Sequence, residues 1–238
     1  DGVSAGGGAA VINGKSILAI IPARGGSKRL PDKNILPFAG KPLIVWSINA
    51  AKGSKYIDRI IVSTDDKKIA DIAKKNDCNV PSLRPEELAT NDASTNDIVI
   101  HILNLIQNNF DIVLILQPTS PLRESEDIDD GLEMMDRKNL PVIVSVCESG
   151  KPLNWHYTIE EDGRLKSLII EDKFSTSQSE ISKTYLPNGA LFISETEFFR
   201  INKTFFTKST SAYIMPPERS VDIDSRIDFL MAEAIVNI

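Results

Sequence analysis

Four short apolar runs, at residues 17–21, 60–63, 112–116 and 142–146, constrain the fold more than anything else in this chain. Most are apolar throughout and do not alternate with polar residues, which is how strands covered on both faces read. Between them the apolar residues recur at helical spacing. Leu43, Ile44 and Ile48 follow the first run, Ile69, Ile72 and Ala73 the second, and Ile128, Leu132 and Met135 the third. Strands alternating with helices imply βαβ units and an α/β fold, with a mostly parallel central sheet and helices on both faces. Right-handed crossovers then place the loops that follow the strands along one sheet edge, where such sheets bind ligands.

The loop after the first run carries the strongest chemistry. Pro22, Gly25 and Gly26 stop the strand, and Arg24, Lys28, Arg29 and Lys33 follow with Ser27 and Asn34 as small polar donors. Glycine lets backbone N–H groups approach an anion closely, and several cations on one loop suit a polyphosphate. Read alone, a basic surface loop has the same composition. Neither the G-x-x-x-x-G-K-[ST] phosphate loop nor the G-x-G-x-x-G dinucleotide fingerprint is present here. Near the far end, Ser220-Val221-Asp222-Ile223-Asp224-Ser225 places two carboxylates two residues apart. On an extended segment they share a side and can ligate a hard cation such as Mg²⁺ through oxygen. The other reading of this segment is a helix start, with Asp224 as the cap and Asp228 an exposed acid.

The segment from Pro22 to Asn34 resembles the P-A-R-x-G-S-K-x-x-x-x-K-N signature of the CMP-sialic acid synthetase (acylneuraminate cytidylyltransferase) family. Members often carry glycine where this chain has Arg29 and Asp32. Further stretches match in order: Arg84-Pro85 with Glu87-Leu88-Ala89, Gln117-Pro118-Thr119-Ser120-Pro121-Leu122-Arg123, Pro187-Asn188-Gly189-Ala190, and the D-I-D of residues 222–224. Together they run from about residue 16 to the end. The resemblance implies a nucleotide-diphospho-sugar transferase-like fold and transfer of CMP from CTP to the anomeric hydroxyl of a nonulosonic 2-keto sugar acid. It implies that Ala23, Arg24, Gly25, Ser27, Lys28, Lys33 and Asn34 hold the CTP phosphates. Arg84 and Thr95 would meet the nucleotide, Gln117 the acceptor sugar, and Asp222 and Asp224 the Mg²⁺. Some relatives have arginine where this chain has Leu186, so the acceptor is open among sialic acid, legionaminate, pseudaminate and 3-deoxy-octulosonate. A non-catalytic nucleotide-binding subunit is the alternative of a different class.

Composition narrows the partners. The 238 residues are 42% hydrophobic and 25% charged, a globular balance with enough apolar material for one large domain. A net charge of −6 argues against nucleic acid as a partner and makes one concentrated basic loop more informative. Cys78 and Cys147 give neither metal spacing nor a disulfide framework and suit a reducing cytoplasm. No apolar run reaches membrane-spanning length.

Elsewhere the pattern is coarser. Residues 1–14, rich in Gly, Ala and Ser, read as a flexible leader without a role in the fold, ahead of a cytidylyltransferase domain at 15–238. Thr64 or Asp65 is expected to cap the second helix, and a short strand is expected around Val80. A helix from about Thr95 to Gln107 should bury Ile98, Ile102, Leu105 and Ile106, with His101 packed or partly exposed. Residues 147–187 break the alternation with a β-hairpin around the Glu161-Asp162-Gly163-Arg164 turn. Trp155, Tyr157, Ile159, Leu168 and Ile169 make it too apolar to leave in water and too small to fold alone, so a homodimer through this insertion is expected. The resemblance adds an arm exchanged with the partner and apolar contacts from Phe205 and Phe206. The parallel pattern is expected to resume at residues 189–193, before a closing helix over 224–237. Lys33, on a glycine loop, is expected to be exposed.

Overall fold

The structure, a computed structural model, describes residues 12–90, 93–106, 109–168 and 183–237. In chain order the main elements are β1 (Ile17–Pro22), the short pair β2 (Pro37–Phe38) and β3 (Lys41–Pro42), α1 (Leu43–Gly53), β4 (Arg59–Ser63) and α2 (Lys67–Lys75). There follow α3 (Thr95–Leu105), β5 (Ile112–Ile115), α4 (Ser125–Lys138) and β6 (Val142–Glu148). The hairpin β7 (Tyr157–Ile159) and β8 (Leu165–Ser167) precedes β9 (Tyr185–Glu195), α5 (Thr196–Asn202), β10 (Ser211–Ile214) and α6 (Arg226–Val236).

A six-stranded sheet in the order β10-β6-β9-β5-β1-β4 forms the centre. Its period-two alternation feeds two cores. Ile17, Ala19 and Ile21 pack with Ile44, Ile48, Ile69, Ile128 and Leu132 on one face, under α1, α2 and α4. Leu18 and Ile20 pack with Val99, Ile102, Leu103 and Phe199 on the other, under α3 and α5. The expected α/β layering is therefore present, with strands buried on both faces.

One strand departs from the expectation. β9 runs antiparallel to both β5 and β6, so the parallel pattern does not resume at residue 189. An unbroken apolar run has the same sequence in either direction; direction is set by where the preceding insertion returns the chain. The β6–β9 ladder shifts register between Val144 and Val146, and Ser145 at that bulge binds Asn188. The bulge aims residues 187–190 at the edge where β1, β4 and β5 end.

Smaller expectations are corrected too. Asp66, not Thr64 or Asp65, caps α2, accepting from the N–H groups of Lys68 and Ile69. The strand expected near Val80 is a single bridge between Asn79 and Ile61. α3 ends at Leu105, which is exposed, while Val99 and Leu103 take the inner face; Gln107 lies outside the described residues. The leader's end joins the fold: Ile12 is buried, and Asn13 donates to Asp136 at 2.6 Å. Phe205 is a core residue with its ring 4.7 Å from that of Phe199 and tilted to it by 42°, and is not a free apolar contact, whereas Phe206 is exposed.

Candidate active site

The C-terminal ends of β1, β4 and β5 and the antiparallel entry of β9 meet at one edge, and the sequence-predicted residues gather there. A crevice of about 290 Å³ is lined by Arg24, Ser27, Lys33, Asn34, Arg84, Thr95 and Gln117, all singled out from sequence. Leu88, Thr90, Ala93, Ile98, Pro118 and Thr119 complete its wall. Leu88, Pro118 and Thr119 belong to stretches matched in the sequence, whereas Thr90, Ala93 and Ile98 carry no chemical signal there and are brought in by the fold. A second cavity of about 400 Å³ adjoins it, formed by Arg24, Ser27, Lys28, Arg29, Leu30, Lys33 and Asp224. Four cations face one carboxylate there, an arrangement suited to several phosphates.

The loop is braced from within. Asn34 is buried and its amide donates to the Arg24 carbonyl at 2.9 Å. Asp32 sits in the left-handed region at φ 54°, where glycine would be free of strain. Gly25 allows a close approach, since a Cβ there would lie 2.7 Å from Asp66 Oδ2. Two expectations are corrected here. The Gly25 N–H donates to Asp65 Oδ1 at 3.1 Å and is not free for an anion. Ala23 is fully buried with its N–H given to Ser63 O at 2.9 Å, so it supports the loop from below.

Arg84 is also chiefly a strut. It is buried, with Nε donating to Ser63 Oγ at 3.2 Å and a further nitrogen to the Ser63 carbonyl. Burial lowers its pKa, with Arg24 adding repulsion and Asp65 opposing. It lies along the crevice wall because its backbone N–H is tied to Thr64 O at 2.7 Å.

The acidic segment is pinned by the residue between its carboxylates. Ile223 is fully buried with Phe38, Leu43, Leu122 and Phe229, and its N–H donates to Thr119 O at 2.8 Å. Asp222 and Asp224 therefore face away from that core. Asp222 lies against Gln117 and Gly189; a Cβ on Gly189, which holds φ +73°, would come within 2.7 Å of Gln117 Oε1 and 3.5 Å of Asp222 Oδ2. Its carboxylate keeps solvent contact, but surrounding protein desolvates it and raises its pKa; Thr119 opposes this by hydrogen bonding, and the charge of Asp224 adds to it. Asp224 is not the helix cap. Ser225 caps α6 in a reciprocal capping box with Asp228. The Asp224 carboxylate instead pairs with Lys33 at 3.1 Å and Arg29 at 3.2 Å.

Lys33 is the link between the two segments. Its Nζ donates to Ile223 O at 2.6 Å and to Asp224 Oδ1 at 3.1 Å. Its side chain is only 11% exposed, which corrects the expectation of a free lysine. Two carboxylates supply hard oxygen donors that fit Mg²⁺ held jointly with substrate phosphates. Among the described residues no group of three or more His, Cys, Asp or Glu is placed to hold a metal alone.

A cationic glycine loop facing a carboxylate segment at the carboxyl edge of an α/β sheet is an arrangement suited to a nucleotide's phosphates and a divalent cation. The chain belongs to the cytidylyltransferase family, whose sequence profile matches residues 18–222. It is 39% identical over 215 residues to the N-acylneuraminate cytidylyltransferase of Streptococcus agalactiae serotype V, covering 90% of this chain and 51% of that protein. The chain thus spans about half the length of that relative. It is 38% identical to the CMP-N,N'-diacetyllegionaminic acid synthase of Legionella pneumophila, covering 93% of this chain and 97% of that one. A solved CMP:2-keto-3-deoxy-manno-octonic acid synthetase shares the fold, with a TM-score of 0.69 at 16% identity, covering 93% of this chain and 98% of that one. Among the described residues no helix is long and apolar enough to cross a membrane.

Proposed function

We propose that this chain transfers CMP from CTP to the anomeric hydroxyl of a nonulosonic 2-keto sugar acid and releases pyrophosphate. The observation that carries the reading is the Lys33 bridge between the four-cation loop and the Asp222–Asp224 segment. Phosphate cations and metal carboxylates stand within one side chain's reach, as attack at an α-phosphorus requires. The acceptor hydroxyl attacks the α-phosphorus and loses its proton to solvent, the bond from that phosphorus to the oxygen bridging to the β-phosphate breaks, and negative charge grows on the departing pyrophosphate. Arg24, Lys28 and Lys33 hold that charge in a preorganised field. Arg29 and Lys33 exchange Asp224 for phosphate oxygens when CTP enters, which frees the carboxylate. Asp222 and Asp224 would then hold Mg²⁺, which when bound neutralises phosphate charge. Gln117 orients the acceptor but, as an amide, takes no proton.

The near full-length match with a legionaminate synthase makes that sugar acid the first acceptor to test. A pyrophosphate-release screen of CTP with N,N'-diacetyllegionaminate, N-acetylneuraminate, pseudaminate and 3-deoxy-octulosonate, with and without Mg²⁺, decides it. Release with one nonulosonic acid, dependent on divalent metal, is expected. Tight CTP binding with no release from any acceptor would support the non-catalytic subunit instead.

We further read the insertion as a homodimer surface in a cytoplasmic enzyme. The paired ladder of β6 and β9 runs through Glu148 and Tyr185, which supports an insertion within the expected 147–187. Within it Trp155, Tyr157, Ile159, Leu165 and Leu168 are exposed, Ile159 to 75%. Ile169 lies outside the described residues.

A further inference from the structure

We infer that Arg123 is a positioning residue that sets the acceptor half of the site without touching substrate, an inference that rests on the cytidylyltransfer reading. Arg123 closes the 117–123 loop and is 2% exposed. One terminal nitrogen donates to Ala190 O at 2.8 Å and Gln117 O at 3.4 Å. The other donates to Ser47 Oγ at 2.7 Å, and that hydroxyl donates in turn to Gln117 O at 3.3 Å. The guanidinium thus ties the end of β5 to β9 through main-chain carbonyls on either side of the point where Gln117 meets Gly189.

This is a costly way to build a plain strut. Nε is buried without a partner. Burial pushes the guanidinium pKa down to about 10, with Asp127 opposing. That carboxylate, however, accepts hydrogen bonds from Arg219 and Tyr213. One arm of the planar fork holds the Ala190 and Gln117 carbonyls and the other fixes the Ser47 hydroxyl, itself bonded to Gln117 O, a rigid two-armed geometry that a lysine's single point charge does not reproduce. That geometry matters because Gln117 Oε1 already lies 2.7 Å from where a Cβ of residue 189 would stand. Ser120 Oγ, donating to Asn188 O at 3.2 Å, forms a second and weaker tie across the same gap. Among the described residues no hydrogen bond runs directly from residues 24–34 to Ser47, Gln117, Arg123 or Ala190, so the clamp acts on the Gln117 wall of the shared crevice and not on its phosphate loop.

The test compares Ser47→Ala, Arg123→Lys and Arg123→Met with the unaltered chain. Turnover and KM for each substrate come from pyrophosphate release, CTP affinity from calorimetry, and stability from thermal melts. Hydrogen exchange at residues 117–122 and 188–191 reads the clamp directly. The expected result for Arg123→Lys is turnover lowered roughly 10–100-fold with acceptor KM raised and CTP affinity unchanged. Exchange should quicken at 117–122 and 188–191 but not at 24–34. Ser47→Ala should move the same quantities less and still fold if the arginine variants do not. CTP affinity and acceptor kinetics falling together, in step with lost melting temperature, would overturn the inference. So would normal turnover in Arg123→Met. If the unaltered chain releases no pyrophosphate, the functional reading fails on its own, and the exchange pattern still decides whether the clamp exists.

Discussion

Lys33 carries two jobs, and its variants should report both. Removing Nζ leaves the Ile223 carbonyl without its donor and Asp224 with only exposed Arg29. Lys33→Ala should therefore cost about 1–2 kcal/mol in stability, the value of a partly screened charged hydrogen bond. The barrier should rise by a further 2–4 kcal/mol, on the order of losing one preorganised charge contact. Parallel thermal melts and turnover measurements check this, and near-normal turnover would move the phosphate site elsewhere. Asp222→Asn should act in the opposite sense on the fold. The folded-state pKa of Asp222 is raised, so its ionised form is the costly one. The stability it contributes is present below the ordinary carboxylate pKa and lost as pH rises through its raised value. The apo melting temperature of Asp222→Asn should hold or rise slightly at neutral pH and match the unaltered chain in acid. Turnover should fall on the order of 10²-fold and need more Mg²⁺. Unchanged Mg²⁺ dependence in this variant would refute the metal site.

At the scale of elements, the starts of β1 and β5 are tied by one carboxylate. Asp111 accepts from the Ser16 N–H at 2.7 Å and its hydroxyl at 2.8 Å, which holds its pKa below the usual range. A depressed folded-state pKa contributes stability above the unfolded value that is lost as pH falls through the folded one. Asp111→Asn should cost about 1 kcal/mol at neutral pH, roughly 2–4 °C in melting temperature for a chain of this size. That difference should vanish in strong acid, as a series of melts against pH would record. Helix starts were only partly legible for a related reason. Asp66 and Ser225 each compete with neighbouring Asp, Ser and Thr residues for the cap, and position in the turn, not residue type, decides among them.

For the whole molecule, the exposed apolar hairpin predicts association. Trp155, Tyr157, Ile159, Leu165 and Leu168 form an apolar surface on a two-stranded unit of marginal stability by itself. Sedimentation should find a dimer at micromolar concentration, and Ile159→Asp with Leu165→Asp should shift it to monomer and lower turnover. A fully active monomer would remove the dimer from the reading.

The sequence alone determined the strand–helix alternation and the crevice edge, because period and strand length are local properties of the chain. It also singled out Arg24, Lys28, Lys33, Gln117, Asp222 and Asp224, whose charges or amide announce their chemistry and whose order matches a known signature. Tertiary structure alone decided the direction of β9, the burial of Lys33, the spending of the Gly25 N–H on Asp65, and the pairing of Asp224 with the phosphate loop. Each depends on which distant segment lies opposite, and residues 33 and 224 stand 3.1 Å apart because the fold buries Ile223 beside them and holds its segment against the loop.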